Sequence, residues 1–468
     1  MSLTLLPATE QLQLLQQRKI TGPELAEAHI AQIERLNPRL NALVDFDPDR
    51  VREQARYRRP GPLSGLPITV KSSIAAAGYR CEIGSTLNRG SMPDRNAVAV
   101  ERLLAAGAVL LGTTNCPEFL MAYETENDLH GSTRNPWNLD YSAGGSSGGE
   151  AAAIAAGLSA GGIGSDSGGS VREPAHFCGI AALKPTAGRV PAEGHLPPCL
   201  GPFAFLGAIG PMARTVGDVA LLFQVLCGQD PLDPHSAPVP HRPVSLDDAR
   251  RVPIGWFEDD GLVPVTPETR AAVQSAANAL ARQGFTVRPY RPQALEAARQ
   301  LWFTFFVQCG AMLYASTIRG REEALSPTFR DFLAVARAQP PLTADALLDA
   351  WVASDQVRSR LLAEMQEIPL LLCPVCSVPA FRPGERAWTI EGRSVSYLDA
   401  MRFTQWFNLL GGPAAMVPVG RSAEGLPIGV QIAGRPYADE LVLAVAAAVE
   451  QDFGFQPPPL ATDAAPTA

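Results

Sequence analysis

Short continuous apolar runs alternate along this chain with segments in which apolar residues recur at helical spacing. The runs 66–70, 108–112 and 160–164 have the length of buried strands. Helical patterns occupy 97–106, before the second run, and 150–158, before the third. Strands that alternate with helices predict βα units and a mostly parallel central sheet. We therefore expect one large α/β domain or two tightly joined ones.

Composition narrows the class of partner. With 468 residues, of which 46% are hydrophobic, the chain can bury a large core. A formal charge of −8 gives no basic surface for nucleic acid or anionic lipid, so we expect a small-molecule partner. No apolar stretch reaches the ~18 residues of a membrane span, and the first ten residues lack a signal-peptide pattern. We expect a cytoplasmic protein that binds neither nucleic acid nor membrane.

The eight cysteines are scattered and stand mostly in apolar surroundings, as reduced thiols do in cytosolic proteins, so we expect no disulfides. Cys373 and Cys376 have the C-x-x-C spacing of redox and zinc sites. Neither a second pair nor a histidine cluster accompanies them, whereas a structural zinc takes about four ligands. We expect these two cysteines to pack in the core, and we expect no metal site.

Lysine is rare, since only Lys19, Lys71 and Lys184 occur among 39 basic residues. Lys71 directly follows the apolar run 66–70. A desolvated ammonium can lose its proton, whereas a guanidinium cannot, which suggests a chemical role for Lys71. The alternative is a strand-end lysine whose stem covers apolar surface while its ammonium stays in water.

Two Ser-Gly clusters, GGSSGG at 144–149 and GSDSGGS at 164–170, flank the predicted helix and strand. A helix followed by a returning strand brings both clusters to one layer of loops, so Ser146 and Ser170 are predicted to share one site. Such loops also serve as flexible connectors or phosphate cradles. The sequence does not support a phosphate site, because neither cluster has the Gly-Lys-Ser/Thr ending or the glycine spacing of a dinucleotide turn.

Residues 144–148 also match the G-x-S-x-G motif of α/β-hydrolases, which requires an Asp and a His further along the chain. His235 and His241 lie in a Pro-rich segment with no strand to position them. His176 and His195 follow the motif too closely to come from a later strand end. The histidines therefore argue against this alternative.

Lys71, the cluster at 144–149 and the sequence GSDSGGSVREP at 164–174 together resemble the amidase signature family. The resemblance covers about 60–220 and resumes over 408–437. It implies an α/β fold in which helices cover both faces of a central mixed β-sheet. It also implies hydrolysis of a carboxamide C–N bond without metal or other cofactor.

The resemblance implies that Ser170 is the nucleophile, that Ser146 bridges it to Lys71 after a cis peptide bond from Gly145, and that Lys71 is the base. A neutral lysine can take the Ser170 proton through Ser146 without a histidine. Burial would have to lower the lysine pKa from about 10 to 7 or 8, which buried sites achieve.

The residues around the nucleophile have two implied roles, namely stabilising the oxyanion through backbone N–H groups and supporting the loops. The oxyanion donors are Ser167, Gly168, Gly169 and Ser170, and the loop-supporting residues are Gly145, Asp166 and Arg172. We expect the last two to form an internal ion pair.

We expect a single domain over 1–468 with five sections: N-terminal helices, a catalytic core, a variable and mainly helical section that shapes the substrate site, a C-terminal return to the core sheet, and a loose tail. Their bounds are 1–60, 61–226, 227–368, 369–455 and 456–468.

Segments 195–207 and 301–306 offer apolar and aromatic walls. If they line the site, the substrates are hydrophobic or aryl carboxamides, with carbamates (urethanes) and esters as further candidates. Two alternatives stay open: a glutamine amidohydrolase subunit of a tRNA-dependent amidotransferase, which needs a partner chain, and a binding descendant without chemistry. A homodimer is an open alternative to a monomer.

Overall fold

The computed structural model describes residues 2–57 and 59–462, and a large β-sheet forms its centre. The strands of the described residues are β1 (Leu43–Phe46), β2 (Pro67–Lys71), β3 (Val109–Thr114), β4 (Gly161–Asp166), β5 (Ala181–Lys184), β6 (Ala208–Ala213), β7 (Ile254–Trp256), β8 (Val287–Pro289), β9 (Leu370–Pro374), β10 (Ala387–Ile390), β11 (Arg393–Ser396), β12 (Ala414–Arg421) and β13 (Pro427–Gly434). One sheet has eleven strands in the order β1-β3-β2-β4-β6-β5-β12-β13-β9-β7-β8, and β10 pairs with β11 separately.

The sheet is mixed. Strand β2 runs parallel to β3 and β4, and β7 runs parallel to β8 and β9. The other neighbours in this sheet are antiparallel. The mostly parallel sheet predicted from βα alternation is therefore wrong, and the mixed sheet implied by the family resemblance is confirmed. Strands β12 and β13 show the reason, because the short loop 422–426 that joins them permits only antiparallel pairing.

Helices surround the sheet. Those of the described residues are α1 (Ala8–Gln16), α2 (Gly22–Leu40), α3 (Pro48–Arg56), α4 (Val98–Ala105), α5 (Gly148–Ala155), α6 (Arg172–Cys178), α7 (Phe203–Leu206), α8 (Val216–Leu226), α9 (Leu246–Arg250), α10 (Pro267–Arg282), α11 (Leu295–Phe303), α12 (Cys309–Ile318), α13 (Pro327–Arg337), α14 (Ala344–Glu364), α15 (Tyr397–Ala400), α16 (Arg402–Leu410), α17 (Asp439–Phe453) and α18 (Pro459–Thr462).

Alternate residues along a strand enter different hydrophobic clusters, as the two faces of a pleated strand require. Leu110 of β3 packs in one cluster with residues of α4, α8, α10 and α17. Its neighbours Val109 and Leu111 pack in another with residues of α2, α5 and α6. The expected cover of helices on both faces is confirmed.

The section 227–368 is mainly helical, and α10 and α14 are the helices predicted near 266–283 and 344–368. Helices α11 and α12 are continuous through the π-helical turn Thr304–Gln308. Within the described residues, Leu295–Ile318 is the helical stretch long and apolar enough to cross a membrane. It packs against α16, and its Trp302 is buried.

The expectation of a loose tail is wrong for its first part. Residues 459–462 form α18, where Leu460 and Ala461 are buried. Arg35 of α2 donates a hydrogen bond to the carbonyl oxygen of Ala461. This segment packs because its apolar side chains meet the cluster that covers one face of the sheet. Residues 463–468 lie outside the described part of the chain.

Candidate active site

The fold brings Lys71, Ser146 and Ser170 to one edge of the sheet. Lys71 is the last residue of β2, and Ser170 follows β4. Because β2 and β4 are parallel neighbours, their C-terminal ends lie side by side. Ser146 precedes α5, the helix that returns the chain to β4. The helix-and-strand reasoning from the sequence therefore predicted this convergence.

Lys71 lies in a dry position and contacts hydroxyl groups. Its Nζ atom lies 2.6 Å from Ser146 Oγ and 3.2 Å from Ser165 Oγ, and the side chain is 0% exposed. Burial lowers the pKa of Lys71 to about 8 from its usual 10.5. Among the described residues, no carboxylate lies within ion-pair distance of this ammonium. Sequence reasoning missed Ser165, although it stands inside the second Ser-Gly cluster.

A buried carboxyl group stands near this lysine. Glu150 of α5 accepts hydrogen bonds from Thr69 Oγ1 at 2.6 Å and Thr114 Oγ1 at 2.8 Å. Burial raises the pKa of Glu150 to about 8, although these bonds and the charge of Lys71 oppose the rise. Protonation of Glu150 removes one of the negative charges that favour the Lys71 ammonium, and so it favours the neutral amine.

Ser146 and Ser170 border the same small cavity. The peptide bond from Gly145 to Ser146 is cis, as the resemblance implied. The backbone N–H of Ser147 donates to the carbonyl oxygen of Ser170 at 3.2 Å, which ties the two loops together. Within the described residues, no hydrogen bond joins the two hydroxyls. The structure thus contains the Lys71–Ser146 link of the expected relay and sets Ser170 beside it.

The loop before Ser170 presents fewer free N–H groups than expected. The N–H of Gly169 donates to Asp166 Oδ1 at 2.8 Å, so its assignment as an oxyanion donor is wrong in this structure. A buried carboxylate requires donors, and Gly169 supplies one. The N–H groups of Ser167, Gly168 and Ser170 have no acceptor among residues 2–57 and 59–462. These three are available to a substrate oxygen.

The predicted ion pair between Asp166 and Arg172 is present and fully buried. Arg172 donates to both carboxylate oxygens of Asp166 at 3.0 Å, and also to Gln431 and Asn408. Burial by itself would raise the pKa of Asp166, but the charge and hydrogen bonds of Arg172 hold it below its usual range. Val171 donates its N–H to the same carboxylate. This pair therefore fixes the backbone on both sides of Ser170.

Gly145 occupies a position without room for a side chain. A Cβ atom on this residue would lie 2.5 Å from the backbone nitrogen of Glu124. Its N–H donates to Glu173 Oε2 at 2.9 Å, and burial raises the pKa of Glu173 well above its usual value. Sequence reasoning missed Glu173, although it belongs to the family motif at 164–174.

Three side chains from distant parts of the sequence hold the carbonyl groups of the loop before Ser170. Gly168 O accepts hydrogen bonds from Tyr123 Oη at 2.8 Å and Thr404 Oγ1 at 2.6 Å. Trp302 Nε1 donates to the carbonyl oxygen of Ser167 at 2.7 Å. The carbonyl of Ser167 shares its peptide group with the N–H of Gly168, so the bond from Trp302 fixes the plane of that donor. The bonds to Gly168 O fix the next peptide, whose Gly169 N–H is directed to Asp166. The sequence offered Trp302 only as a wall residue and gave no signal for the other two.

A large apolar cavity of about 530 Å³ opens beside Ser170. Its wall includes the rings of Trp302 and Phe306, stacked 4.8 Å apart. Arg386 also borders this cavity, but it is paired with Glu124 at 2.5 Å and lies 3.8 Å from Asp331. The predicted contribution of 301–306 to the wall agrees with this arrangement.

A second cavity, of about 20 Å³, also borders Ser170, and its wall includes Ser146 and His195. As the sequence argument expected, His195 does not come from a later strand end, because it lies in the loop between β5 and α7. This loop nevertheless places the His195 ring beside the two serines. Its Nδ1 atom lies 2.7 Å from the carbonyl oxygen of Pro197. Burial lowers the pKa of His195 to about 4. In the described structure this neutral ring forms no hydrogen bond to Lys71, Ser146 or Ser170.

No cluster of three or more His, Cys, Asp or Glu side chains capable of holding a metal ion occurs in the part of the chain that the structure describes. Cys373 and Cys376 are free and buried. Burial raises the pKa of Cys376 well above its usual value, and its thiol donates to the carbonyl oxygen of Val378 at 3.0 Å. These contacts support packing for the pair.

Known proteins share this architecture. The model of the Amidase family matches residues 24–443. One of the glutamyl-tRNA(Gln) amidotransferase subunits of Roseiflexus sp. (strain RS-1) is 36% identical over 95% of this chain and 96% of its own length. Indoleacetamide hydrolase of Bradyrhizobium diazoefficiens is 34% identical over 93% of this chain and 84% of its own. The solved structure of 6-aminohexanoate cyclic dimer hydrolase with its substrate gives a TM-score of 0.87 at 31% identity, covering 98% of this chain and 100% of that one.

The fold and site thus define a hydrolase of carbon–nitrogen bonds. The chain belongs to the amidase signature family.

Proposed function

We propose that this enzyme hydrolyses carboxamides with a hydrophobic or aryl acyl group through an acyl-Ser170 intermediate. The observation that carries the proposal is the buried hydrogen bond between Lys71 and Ser146 beside Ser170, at the mouth of an aromatic cavity. A serine hydroxyl becomes a good nucleophile only when a neighbour accepts its proton. A lysine whose pKa is lowered to about 8 is such an acceptor near neutral pH.

In the proposed reaction, Ser170 Oγ attacks the amide carbonyl carbon while its proton passes to Ser146, whose own proton passes to Lys71. The N–H groups of Ser167, Gly168 and Ser170 stabilise the oxyanion that forms. The C–N bond then breaks, and the proton returns through Ser146 to the leaving nitrogen. Water attacks the acyl-Ser170 ester by the same proton path and releases the acid. Each step uses side chains and backbone of this chain alone.

The acyl preference follows from the wall of the large cavity. Trp302, Phe306 and Phe332 present aromatic surface there, and burial of apolar area stabilises a bound acyl group by roughly 25 cal/mol per Å². The three available N–H groups before and at Ser170 bind the carbonyl oxygen, which amides, esters and carbamates all have. They do not select the leaving group. Esters and carbamates with the same acyl or alkoxycarbonyl part are therefore further candidate substrates.

Labelling and turnover test the proposal together. A fluorophosphonate should label the purified protein at Ser170, and Ser170→Ala should lose both the label and hydrolysis of phenylacetamide. Ser147→Ala is the matched control, because it removes a neighbouring serine outside the relay and should keep the label. Labelling at Ser146 would favour the G-x-S-x-G alternative. Absence of any label from folded protein would favour a binding descendant.

A glutamine amidohydrolase that works within an amidotransferase is the second candidate, because the Roseiflexus relative of 36% identity belongs to such an enzyme. The α-carboxylate of glutamine needs a cation in the acyl cavity. Arg386 borders that cavity, but it is paired with Glu124 and faces Asp331. Because these carboxylates already neutralise Arg386, the cavity favours a hydrophobic acyl group over glutamine. Release of ammonia from glutamine faster than from phenylacetamide would favour the glutamine amidohydrolase over the hydrolase of hydrophobic amides.

We also propose that the enzyme acts in the cytoplasm on a small molecule. The eight free cysteines support a reducing compartment.

A further inference from the structure

The two cavities that meet at Ser170 differ greatly in size. The large one has a volume of about 530 Å³ and the small one about 20 Å³. Both include Leu120, Met121, Ser170 and Phe306 in their walls. A substrate whose carbonyl carbon lies at Ser170 must therefore place one substituent in each cavity.

The proton donor decides which substituent enters which cavity. In the proposed reaction the leaving nitrogen receives its proton from Ser146. Ser146 lines the small cavity and is not among the residues that line the large one. The leaving nitrogen therefore lies in the small cavity, and the acyl group lies in the large one. The opposite orientation would separate the nitrogen from the hydroxyl that must protonate it.

The size of the small cavity limits the leaving group. A single water molecule needs ~10–15 Å³ of this kind of volume, so a space of about 20 Å³ holds one non-hydrogen atom with its hydrogens. Its aromatic wall residues Phe119 and Phe203 are 1% and 5% exposed, and Phe203 packs edge-on against Phe306 with ring centroids 6.0 Å apart. An aromatic ring or alkyl chain on the nitrogen would have to displace these side chains.

The polar part of the small cavity suits an –NH2 group. Ser146, Ser165 and Ser167 all line it, and a serine hydroxyl can accept a hydrogen bond from an amide N–H. His195 is neutral there near pH 7, because burial lowers its pKa to about 4. The residues that line the cavity therefore carry no cation that would repel a protonated leaving nitrogen. Lys71 is neutral once its proton has passed on through Ser146.

We propose that the enzyme is specific for primary carboxamides, R–CO–NH2 with a large apolar R, and that it releases ammonia. This inference rests on the proposed function and adds the class of leaving group. The Ser170 Oγ–C bond forms, the C–N bond breaks, and NH3 leaves with the proton that Ser170 lost. Water then replaces the ammonia in the same cavity, breaks the acyl–Ser170 ester and yields R–COOH. Anilides and N-alkyl amides, which the carbonyl recognition alone would admit, are poor substrates.

A substrate series with one acyl group tests the proposal on the unmodified enzyme. Phenylacetamide, N-methylphenylacetamide and N-phenylphenylacetamide differ only at nitrogen, so acyl binding is held constant. Each added group that does not fit should cost about 10- to 200-fold in kcat/KM, the range for one methylene in a tight pocket. Equal kcat/KM values across the series would overturn the leaving-group inference while leaving the proposed function intact. No Ser170-dependent turnover of any member would instead overturn the proposed function.

Two variants on one helix test whether the small cavity causes the selectivity for the leaving group. Phe203→Ala enlarges the small cavity and should raise kcat/KM for N-methylphenylacetamide relative to phenylacetamide. Phe205→Ala is the matched control: Phe205 belongs to the same helix α7, but its ring packs against Phe305 and Trp351 and lines neither cavity. It should leave that ratio unchanged. A folded Phe203→Ala enzyme with an unchanged ratio would contradict the proposal.

Acyl transfer gives a second test that does not depend on the folding of a variant. During turnover of unlabelled phenylacetamide, added isotope-labelled ammonia should enter the small cavity and attack acyl-Ser170, giving labelled phenylacetamide and free Ser170. Benzylamine should not compete with water, because its ring does not fit. Equal trapping by ammonia and benzylamine, measured by mass spectrometry of the products, would overturn the size limit.

Discussion

The loops around Ser170 and the helices that wall the large cavity are built in opposite ways. In the loops, Asp166 and Arg172 are fully buried, and hydrogen bonds fix the backbone on both sides of the nucleophile. In the helical section, Val335 of the cavity wall exposes 36% of its surface, and Leu348 on the next helix exposes 65%. Proton transfer requires atoms placed within a fraction of an ångström. Binding of an acyl group through apolar area tolerates changes in the shape of the cavity wall. Side chains of the helical section can therefore be replaced without loss of the catalytic chemistry.

Trp302 connects the two regions. It belongs to α11 in the helical section, yet its indole N–H donates to Ser167 in the loop. A Cβ atom on Gly168 would lie 2.5 Å from its ring. The contrast between the regions therefore predicts large effects on rate and stability from changes in the loops and smaller effects on KM from changes in the helices.

The largest expected effect is on the base. Lys71→Ala should lower kcat about 10²- to 10⁴-fold, the usual contribution of a general base, with little change in KM. Lys184→Met is the matched control, because Lys184 is also fully buried and burial lowers its pKa to about 7. Its ammonium donates to the carbonyl oxygen of Pro185 and lines neither cavity. An equal loss of kcat in both variants would contradict the role of Lys71 as the base.

Removal of Arg172 should mainly affect stability. Arg172→Met leaves the buried Asp166 carboxylate without its cation and should lower the free energy of unfolding by about 3–5 kcal/mol. Urea denaturation followed by circular dichroism measures this change. Arg52→Met removes an arginine from an exposed ion pair with Glu27 and should change stability little. Similar losses in the two variants would contradict the distinction between the loops and the surface.

The pH dependence of kcat/KM should report Lys71. Only the neutral amine accepts a proton, so kcat/KM should rise about tenfold per pH unit below about 8 and level above it. Glu150, whose pKa burial raises to about 8, titrates in the same range, and its anion favours the charged lysine. The rise should therefore be broadened. A profile that is flat from pH 6 to 9, measured with a neutral amide, would contradict a lysine base.

Stability should follow the same group in a different pH range. The pKa of Lys71 is lowered in the folded state, so between about 8 and 10.5 the unfolded chain binds more protons. The contribution of Lys71 to the free energy of unfolding is thus unfavourable below about pH 8 and is relieved as pH rises through that window. Lys71→Met should therefore be at least as stable as the parent at pH 7 in urea denaturation, although it is inactive. A clear loss of stability would contradict a desolvated lysine.

The smallest expected effect lies in the helical section. Phe332→Ala removes one half-buried ring from the wall of the large cavity. It should raise KM for phenylacetamide by roughly fivefold, or about 1 kcal/mol of apolar contact, with kcat unchanged. Steady-state kinetics measure KM and kcat separately. Acetamide, which has no ring to contact Phe332, is the control substrate. A fall in kcat equal to that of a loop variant would erase the difference between the regions.

The sequence predicted the parts of the site that depend on neighbours in the chain. Lys71, Ser146 and Ser170 converge because an apolar strand precedes Lys71, and a helix and a strand separate the two serines. Strand directions in the rest of the sheet were mispredicted, because βα alternation says nothing about later hairpins such as β12 and β13.

Other features depend on contacts between distant residues. Tyr123, Trp302 and Thr404 meet at one loop from three sections of the chain, and no local pattern marks them. The N–H of Gly169 points to Asp166 rather than to substrate because the carboxylate competes for it. Such competition is decided by backbone geometry, which residue types alone do not specify.

The order of the sheet leaves β1 and β8 as its edges. An exposed edge strand can extend into the sheet of another molecule. Here β1 carries an irregularity between Leu43 and Asp45, and β8 is short, with an exposed arginine at 288 and a proline at 289. Bulges, charges and prolines all hinder continuation of the backbone ladder. Copies of this protein at high concentration should therefore resist aggregation through the edges of the large sheet.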